Sequence, residues 1–258
     1  MFDKVEVLDG FDFIDGVYCS QKSMNLFSEF ETAYLDVREK EKRILSIAEI
    51  RNLPFVSKES SDYDLWQIRR KSIQRFLKHL SNKKNLKVLD IGCGNGFFTN
   101  LIAKKNHKVF GLDINQLELK QAAQAFPSKD IHWFYADIIH DTLPIQKFDI
   151  ITFCSSFHFF QHPNELFKHC LSLLNENGEI HIIDSPFYTE ENKIIAKQNS
   201  KNYFHKIGVS KMENYFQHNS FKVLKDFHHQ IAYQPRGIIK KLLRRKDSPF
   251  PWIIIRPL

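Results

Sequence analysis

The chain has 258 residues, is 43% hydrophobic and 26% charged, and carries a formal charge of +7. That length can bury a substantial core and favours one enlarged α/β domain over two independent ones. No apolar run reaches the ~18 residues of a membrane span, the start Met1-Phe2-Asp3-Lys4-Val5-Glu6 is unlike a signal peptide, and Cys19, Cys93, Cys154 and Cys170 form no C-x-x-C pair, so neither a zinc site nor a disulfide framework is suggested and a cytoplasmic protein with reduced thiols is expected.

Taken in chain order, Asn25 to Glu41 and Ile44 to Arg51 read as helices, the second stopped by Leu53-Pro54. Ser60-Ser61-Asp62 is an N-cap region for a helix over Tyr63 to Leu80. On it Leu65, Ile68, Ile73, Phe76, Leu77 and Leu80 make an apolar stripe. Residues 1–84 are therefore expected to form a mainly helical extension that caps the domain formed by residues 85–258.

Lys87-Val88-Leu89 is a short buried strand that runs into Asp90-Ile91-Gly92-Cys93-Gly94-Asn95-Gly96, and Phe97 to Lys105 follows as a helix. Glycines let such a turn fold tightly and meet a ligand at close range. A dinucleotide fingerprint needs a third glycine where Phe97 stands, and a Walker A loop needs Gly-Lys-Ser/Thr, which this turn lacks. Asp90 would repel a phosphate and attract a cation. The turn suits a positively charged, nucleotide-like ligand such as S-adenosylmethionine. The plainer reading is a strand–helix turn that holds nothing.

The next strand, Lys108 to Leu112, ends at Asp113, 17 residues beyond Gly96, close to the spacing at which an acidic side chain meets a ribose diol. A helix over Gln116 to Phe126 follows. The strand Ile131 to Ala136 stops at Asp137, and Phe148 to Phe153 opens into Cys154-Ser155-Ser156-Phe157-His158. After a turn at Asn175-Glu176-Asn177-Gly178, the strand Glu179 to Asp184 is fifth. Strands alternating with helices predict a parallel sheet whose ligands sit at the strands' carboxyl ends, where these aspartates collect.

From about Asn85 to Leu258 the chain resembles the class I S-adenosylmethionine-dependent methyltransferases, and Val-Leu-Asp-Ile-Gly-Cys-Gly-Asn-Gly is similar to their first motif. The resemblance implies a Rossmann-like, seven-stranded, mostly parallel sheet with helices on both faces. Phe221 to Leu224 would be its sixth strand and Trp252 to Ile255 its antiparallel seventh. It implies that Asp90 with Gly92, Cys93, Gly94 and Gly96 holds the methionine part of the cofactor. Asp113, with Ile114 beside it, would take the ribose, Asp137 and the Ile138 backbone the adenine, and Cys154 would line the pocket. Tyr34 to Glu41 and Trp66-x-x-Arg69-Arg70 resemble segments of bacterial methyltransferases with sugar- or lipid-modifying neighbours.

The motifs are specific for the cofactor and nearly silent about the acceptor. Residues 185–258 hold 14 lysines and arginines against 5 acidic residues, and the strip Lys240 to Lys246 is the most basic part of an insertion spanning about 185–246. That balance suggests an anionic small molecule, a lipid surface or RNA, or simply a solvated helix face. Methyl transfer to a hydroxyl needs a base within reach, and His158, after the fourth strand, is the candidate. Tyr188, Tyr203, His205, Arg38 and Arg69 are candidates for the acceptor pocket. His228-His229 has no metal partner by spacing, so no metal is expected. An RNA methyltransferase and a non-catalytic cofactor-binding protein are the alternatives. An amino-methylating DNA enzyme would show Asp/Asn-Pro-Pro-aromatic where Cys154-Ser155-Ser156-Phe157 stands.

Overall fold

The structure, a computed structural model, describes residues 8–24, 26–145, 147–235 and 247–258. Strands β1 (Phe11–Ile14) and β2 (Val17–Ser20) form an antiparallel hairpin. Its two-residue turn is Asp15-Gly16, with φ of 52° and 86°, the positive pair that Asp-Gly supplies. Three helices follow: α1 (Ser28–Lys40), α2 (Ile47–Asn52) and α3 (Tyr63–His79). A reciprocal Ser46–Glu49 capping box starts α2. The alternating part then runs β3 (Lys87–Ile91), α4 (Phe97–Ala103), β4 (Lys108–Asp113), α5 (Gln116–Ala125), β5 (Ile131–Tyr135), β6 (Phe148–Cys154), α6 (Pro163–Ser172) and β7 (Leu174–Ile183). Last come α7 (Glu190–Lys206), β8 (His229–Tyr233) and β9 (Trp252–Ile255).

The sheet has nine strands in the order β1-β2-β5-β4-β3-β6-β7-β9-β8. From β2 to β7 every neighbouring pair is parallel, while β9 pairs antiparallel with both β7 and β8. Strand order reverses between β3 and β6, so a crevice opens at their carboxyl ends. Helices cover both faces. Phe76 of α3, Phe98 and Ile102 of α4 and Leu119 of α5 pack one face, and Leu166, Phe167 and Cys170 of α6 pack the other. Each fully buried Phe or Leu contributes on the order of 2 kcal/mol of burial free energy, so the sheet is the rigid platform of the molecule.

Four expectations need correction. The sheet has nine strands rather than seven, because β1 and β2 extend it beside β5; the first 84 residues are thus not only helical. Phe221–Leu224 is a short 3-10 turn, started by Ser220, whose hydroxyl accepts the Lys222 N–H at 3.3 Å. The edge strand next to β9 is instead the exposed His229–Tyr233. Finally, Asn175–Gly178 does not precede β7 but lies within it as a register shift against β6, where Phe148 faces Leu174 and Ile150 faces Glu179. The strip Lys240 to Lys246 lies outside the described residues. Among the described residues no helix is long and apolar enough to cross a membrane.

Candidate functional site

The crevice at the carboxyl ends of β3 to β6 holds a cavity of about 460 Å³. Asp90, 1% exposed, stands at its base. Its carboxylate accepts the hydroxyls of Thr99 (2.7 Å) on α4 and Thr152 (2.8 Å) on β6. Burial outweighs these two bonds and pushes its pKa up to about 6.

The glycines of the turn divide by role. Gly94 (φ +53°) lies on the cavity wall, and a Cβ there would come 2.8 Å from Glu118 Oε2. Its N–H donates to Asp113 Oδ2 at 2.7 Å. Gly96 (φ +76°) does not line the cavity; a Cβ there would meet Ala122 at 2.7 Å and run into the Trp133 ring. Gly96 is thus required for helix-on-sheet packing, and Gly94 for the close approach of the turn to Glu118 on the cavity wall. Gly92 and Cys93 complete the wall, and burial pushes the Cys93 thiol well up.

Asp113 ends β4 and accepts three backbone N–H groups: Gly94 on Oδ2, Ile114 (2.7 Å) and Asn115 (3.0 Å) on Oδ1. Burial, and then the charge of Glu118, push its pKa up to about 7. Asp137 follows β5, and its Oδ1 accepts from the Ile139 and His140 backbone, both at 2.8 Å. Asp137 is held by Asp141, which accepts the Asp137 N–H at 2.8 Å together with the hydroxyls of Ser20 (2.6 Å) and Ser23. The hairpin β1–β2 thereby braces the Asp137 loop. Ile114, Ile138 and Cys154 all line the cavity, and the Cys154 thiol is pushed up by burial.

Helix α1 roofs this space. Glu31 accepts the Gln116 N–H at 2.6 Å, which docks α1 on the first turn of α5. One turn on, Tyr34 Oη accepts Arg38 Nε at 2.8 Å and donates to Glu118 Oε2 at 3.3 Å. Phe30, Tyr34, Phe159 and Tyr215 pack edge to face around the cavity. Arg69 comes from α3, its guanidinium 4.6 Å from the Trp66 ring and 5.4 Å from that of Phe97. Arg69 Nε is buried and has no hydrogen-bond partner.

Of the sequence-derived acceptor residues, Arg38 and Arg69 therefore meet at the cavity, whereas the others are placed elsewhere. The His158 ring lies off the wall between Phe159 (4.3 Å) and Phe216 (4.7 Å). Burial, then the Arg38 charge, lower its pKa to about 3. A neutral, weakly basic imidazole in that place fills space. Tyr188 bridges to Ser220, Tyr203 bonds Glu41, and His205 faces Glu213 at 3.4 Å. All three lie in the segment after β7 and off the cavity wall, although Tyr215 of the same segment reaches it. Glu118, Tyr34 and the aromatic wall were missed. Their only sequence signal is the Tyr34/Arg38 i, i+4 spacing on α1.

Outside the cavity, His79, Glu179 and His181 bring ligand-type atoms within 4.8 Å of one another. Trp252 Nε1, which can only donate, bonds His181 Nδ1 at 3.1 Å. The proton of a neutral His181 must then sit on Nε2, leaving no lone pair to face an ion. Lys83 (3.0 Å) and Arg256 (2.7 Å) already occupy the Glu179 carboxylate. The cluster is an ion-pair network rather than a metal centre.

A doubly wound sheet with a glycine turn, three strand-end carboxylates and a roofed cavity at its topological switch point defines a Rossmann-like domain. The chain belongs to the methyltransferase family: residues 82–234 match the family described as "Methyltransferase domain". It is 25% identical over 181 residues to protein 235L of Invertebrate iridescent virus 6, which carries a methyltransferase name, covering 69% of this chain and 65% of that protein. It is 30% identical over 101 residues to a malonyl-[acyl-carrier protein] O-methyltransferase of Ilyobacter polytropus, covering 38% of each chain. The chain thus spans less than two thirds of the length of these curated relatives. Among solved structures, the plantazolicin methyltransferase BpumL in complex with SAH (S-adenosylhomocysteine) is similar in fold, with a TM-score of 0.54, 17% identity, and coverage of 92% of this chain and all of that one.

Proposed function

We propose that the protein transfers the methyl group of S-adenosylmethionine to a small anionic acceptor held in the roofed cavity. The residues fit the donor: Gly94 leaves a cradle that a Cβ would fill, and Asp90, Asp113 and Asp137 place carboxylates around it, which suits a ligand with a positive sulfonium and hydrogen-bond donors. Asp113 and Asp137 would hold the ribose and adenine, and Asp90 the charged end. When bound, the sulfonium supplies an electrophilic methyl carbon without a metal.

The chain's own task is alignment and exclusion of water. Helix α1 and the rings of Phe30, Phe159 and Tyr215 close the space above the strand ends. The observation that carries the acceptor class is Arg69: a guanidinium on the cavity wall, stacked on Trp66, with an orphaned Nε. Its charge already faces Asp184 and the Cys154 thiol, and the part of the guanidinium that lines the cavity would offer its remaining N–H donors to an anionic group on the acceptor. With His158 off the wall, an acceptor atom that is already ionised, such as a carboxylate oxygen, needs no base.

The test is transfer from deuteromethyl-labelled S-adenosylmethionine across a panel of small acids, their neutral amides, and RNA. Acids should be labelled, and Arg69→Met should raise the acceptor KM at least tenfold while donor affinity holds. Labelling of RNA or of amides alone would contradict the reading, and donor binding without turnover over the panel would favour a non-catalytic binding protein.

A further inference from the structure

The donor end of the cavity contains a second carboxylate whose capacity to accept hydrogen bonds is unspent. Glu118, on the first turn of α5, is 8% exposed and lines the cavity. It faces the same Gly94 that Asp113 binds: the Gly94 N–H goes to Asp113 Oδ2, and a Gly94 Cβ would touch Glu118 Oε2. Both acids thus lie against Gly94.

A carboxylate offers about four acceptor positions. Asp113 has committed three to the N–H groups of Gly94, Ile114 and Asn115, which leaves about one. A ribose diol brings two O–H donors, so Asp113 as placed can receive only one of them without giving up a backbone bond. Glu118 can take the other. Its Oε2 receives only the long Tyr34 bond (3.3 Å), and its Oε1 lies 3.9 Å from Arg38 Nε without a hydrogen bond. Tyr34 and Arg38 hold the acid in place, since the guanidinium donates to the phenol and the phenol to Glu118.

Resting on the donor reading above, we infer that Glu118 is a cofactor-binding residue that shares the ribose diol with Asp113, and that Tyr34 and Arg38 of the roof helix are its positioning residues. The donor site would then be complete only with α1 in place, and the two ends of the cavity would be linked through Arg38.

Calorimetric titration with S-adenosylhomocysteine and with its 2′,3′-dideoxy analogue tests this on wild type, Glu118→Gln, Glu118→Met and Tyr34→Phe, each first checked for an unchanged thermal transition. The loss of one hydrogen bond to a charged acceptor predicts that Glu118→Met weakens S-adenosylhomocysteine binding at least tenfold. Glu118→Gln should weaken it less and Tyr34→Phe about threefold, and all four proteins should bind the dideoxy analogue within about twofold of one another. Equal losses with both ligands, or no loss in Glu118→Met, would overturn the inference while leaving the donor assignment intact. Failure of the wild type to bind S-adenosylhomocysteine would overturn both.

Discussion

Asp90 opposes folding, so its replacement has an unusual expected signature. Its carboxyl is 1% exposed and is pushed from the ordinary 3.8 up to about 6. A group that holds its proton more tightly folded than unfolded lowers stability as pH rises through that window, and the cost is complete above about 6. It amounts to about 3 kcal/mol at pH 7.5. In Asp90→Asn the amide removes that cost. The Thr152 hydroxyl can receive the new N–H by turning its own proton to Leu89 O, 3.5 Å away. One weakened bond subtracts roughly 1 kcal/mol, so a net gain of about 2 kcal/mol is expected. Urea unfolding of both proteins without ligand reads it directly. The Asp90→Asn variant should be the more stable at pH 7.5, the difference should shrink towards pH 4, and affinity for S-adenosylmethionine should fall at least tenfold. A less stable Asp90→Asn at pH 7.5, or a difference indifferent to pH, would refute the reasoning.

The two turn glycines should separate under the same substitution. Gly96→Ala puts a methyl into the Trp133 ring and against Ala122 at a left-handed φ, so urea unfolding should show a loss of at least about 3 kcal/mol. Gly94→Ala pays mainly the backbone cost of about 1–2 kcal/mol but should abolish donor binding in a calorimeter. Asp141→Ala leaves the hydroxyls of Ser20 and Ser23 and the Asp137 N–H without their acceptor; a loss of about 3 kcal/mol is expected, with weaker donor binding in the surviving fold. Glu179→Gln removes the anion shared by Lys83, Arg256 and His79. Because the Lys83 and Arg256 cations are partly exposed, about 2 kcal/mol is expected on unfolding. The Glu179 carboxyl is held well below its ordinary 4.5, so this contribution is present above 4.5 and fades as pH falls further.

The central strands were legible because each is a mainly apolar run, and three of them run into or up to a carboxylate, at Asp90, Asp113 and Asp137. Fully buried parallel strands are where apolar runs are least ambiguous. The edges were not. β8, His229–Tyr233, is exposed over most of its length, so its sequence carries no core pattern, while the more apolar Phe221–Leu224 buries its leucine from a 3-10 turn. The hairpin was signalled by Asp15-Gly16 between Ile14 and Val17, but its strands are only four residues each. The turn and its aspartates were legible as one side of the cavity because their spacing is local. Glu118, Tyr34 and Arg38 belong together only once α1 folds over α5, a contact across about 80 residues of chain that no local pattern announces. Tyr188, Tyr203 and His205 lie off the cavity wall for the converse reason: chemistry-bearing residues in a segment carry no information about which way that segment folds.

The most direct measurement is calorimetric titration of the wild-type chain with S-adenosylmethionine and, separately, with NAD. The account predicts one saturable site for S-adenosylmethionine, lost in Asp113→Ala, and no heat from NAD. Saturable NAD binding that S-adenosylmethionine fails to displace, or full donor affinity in Asp113→Ala, would contradict it.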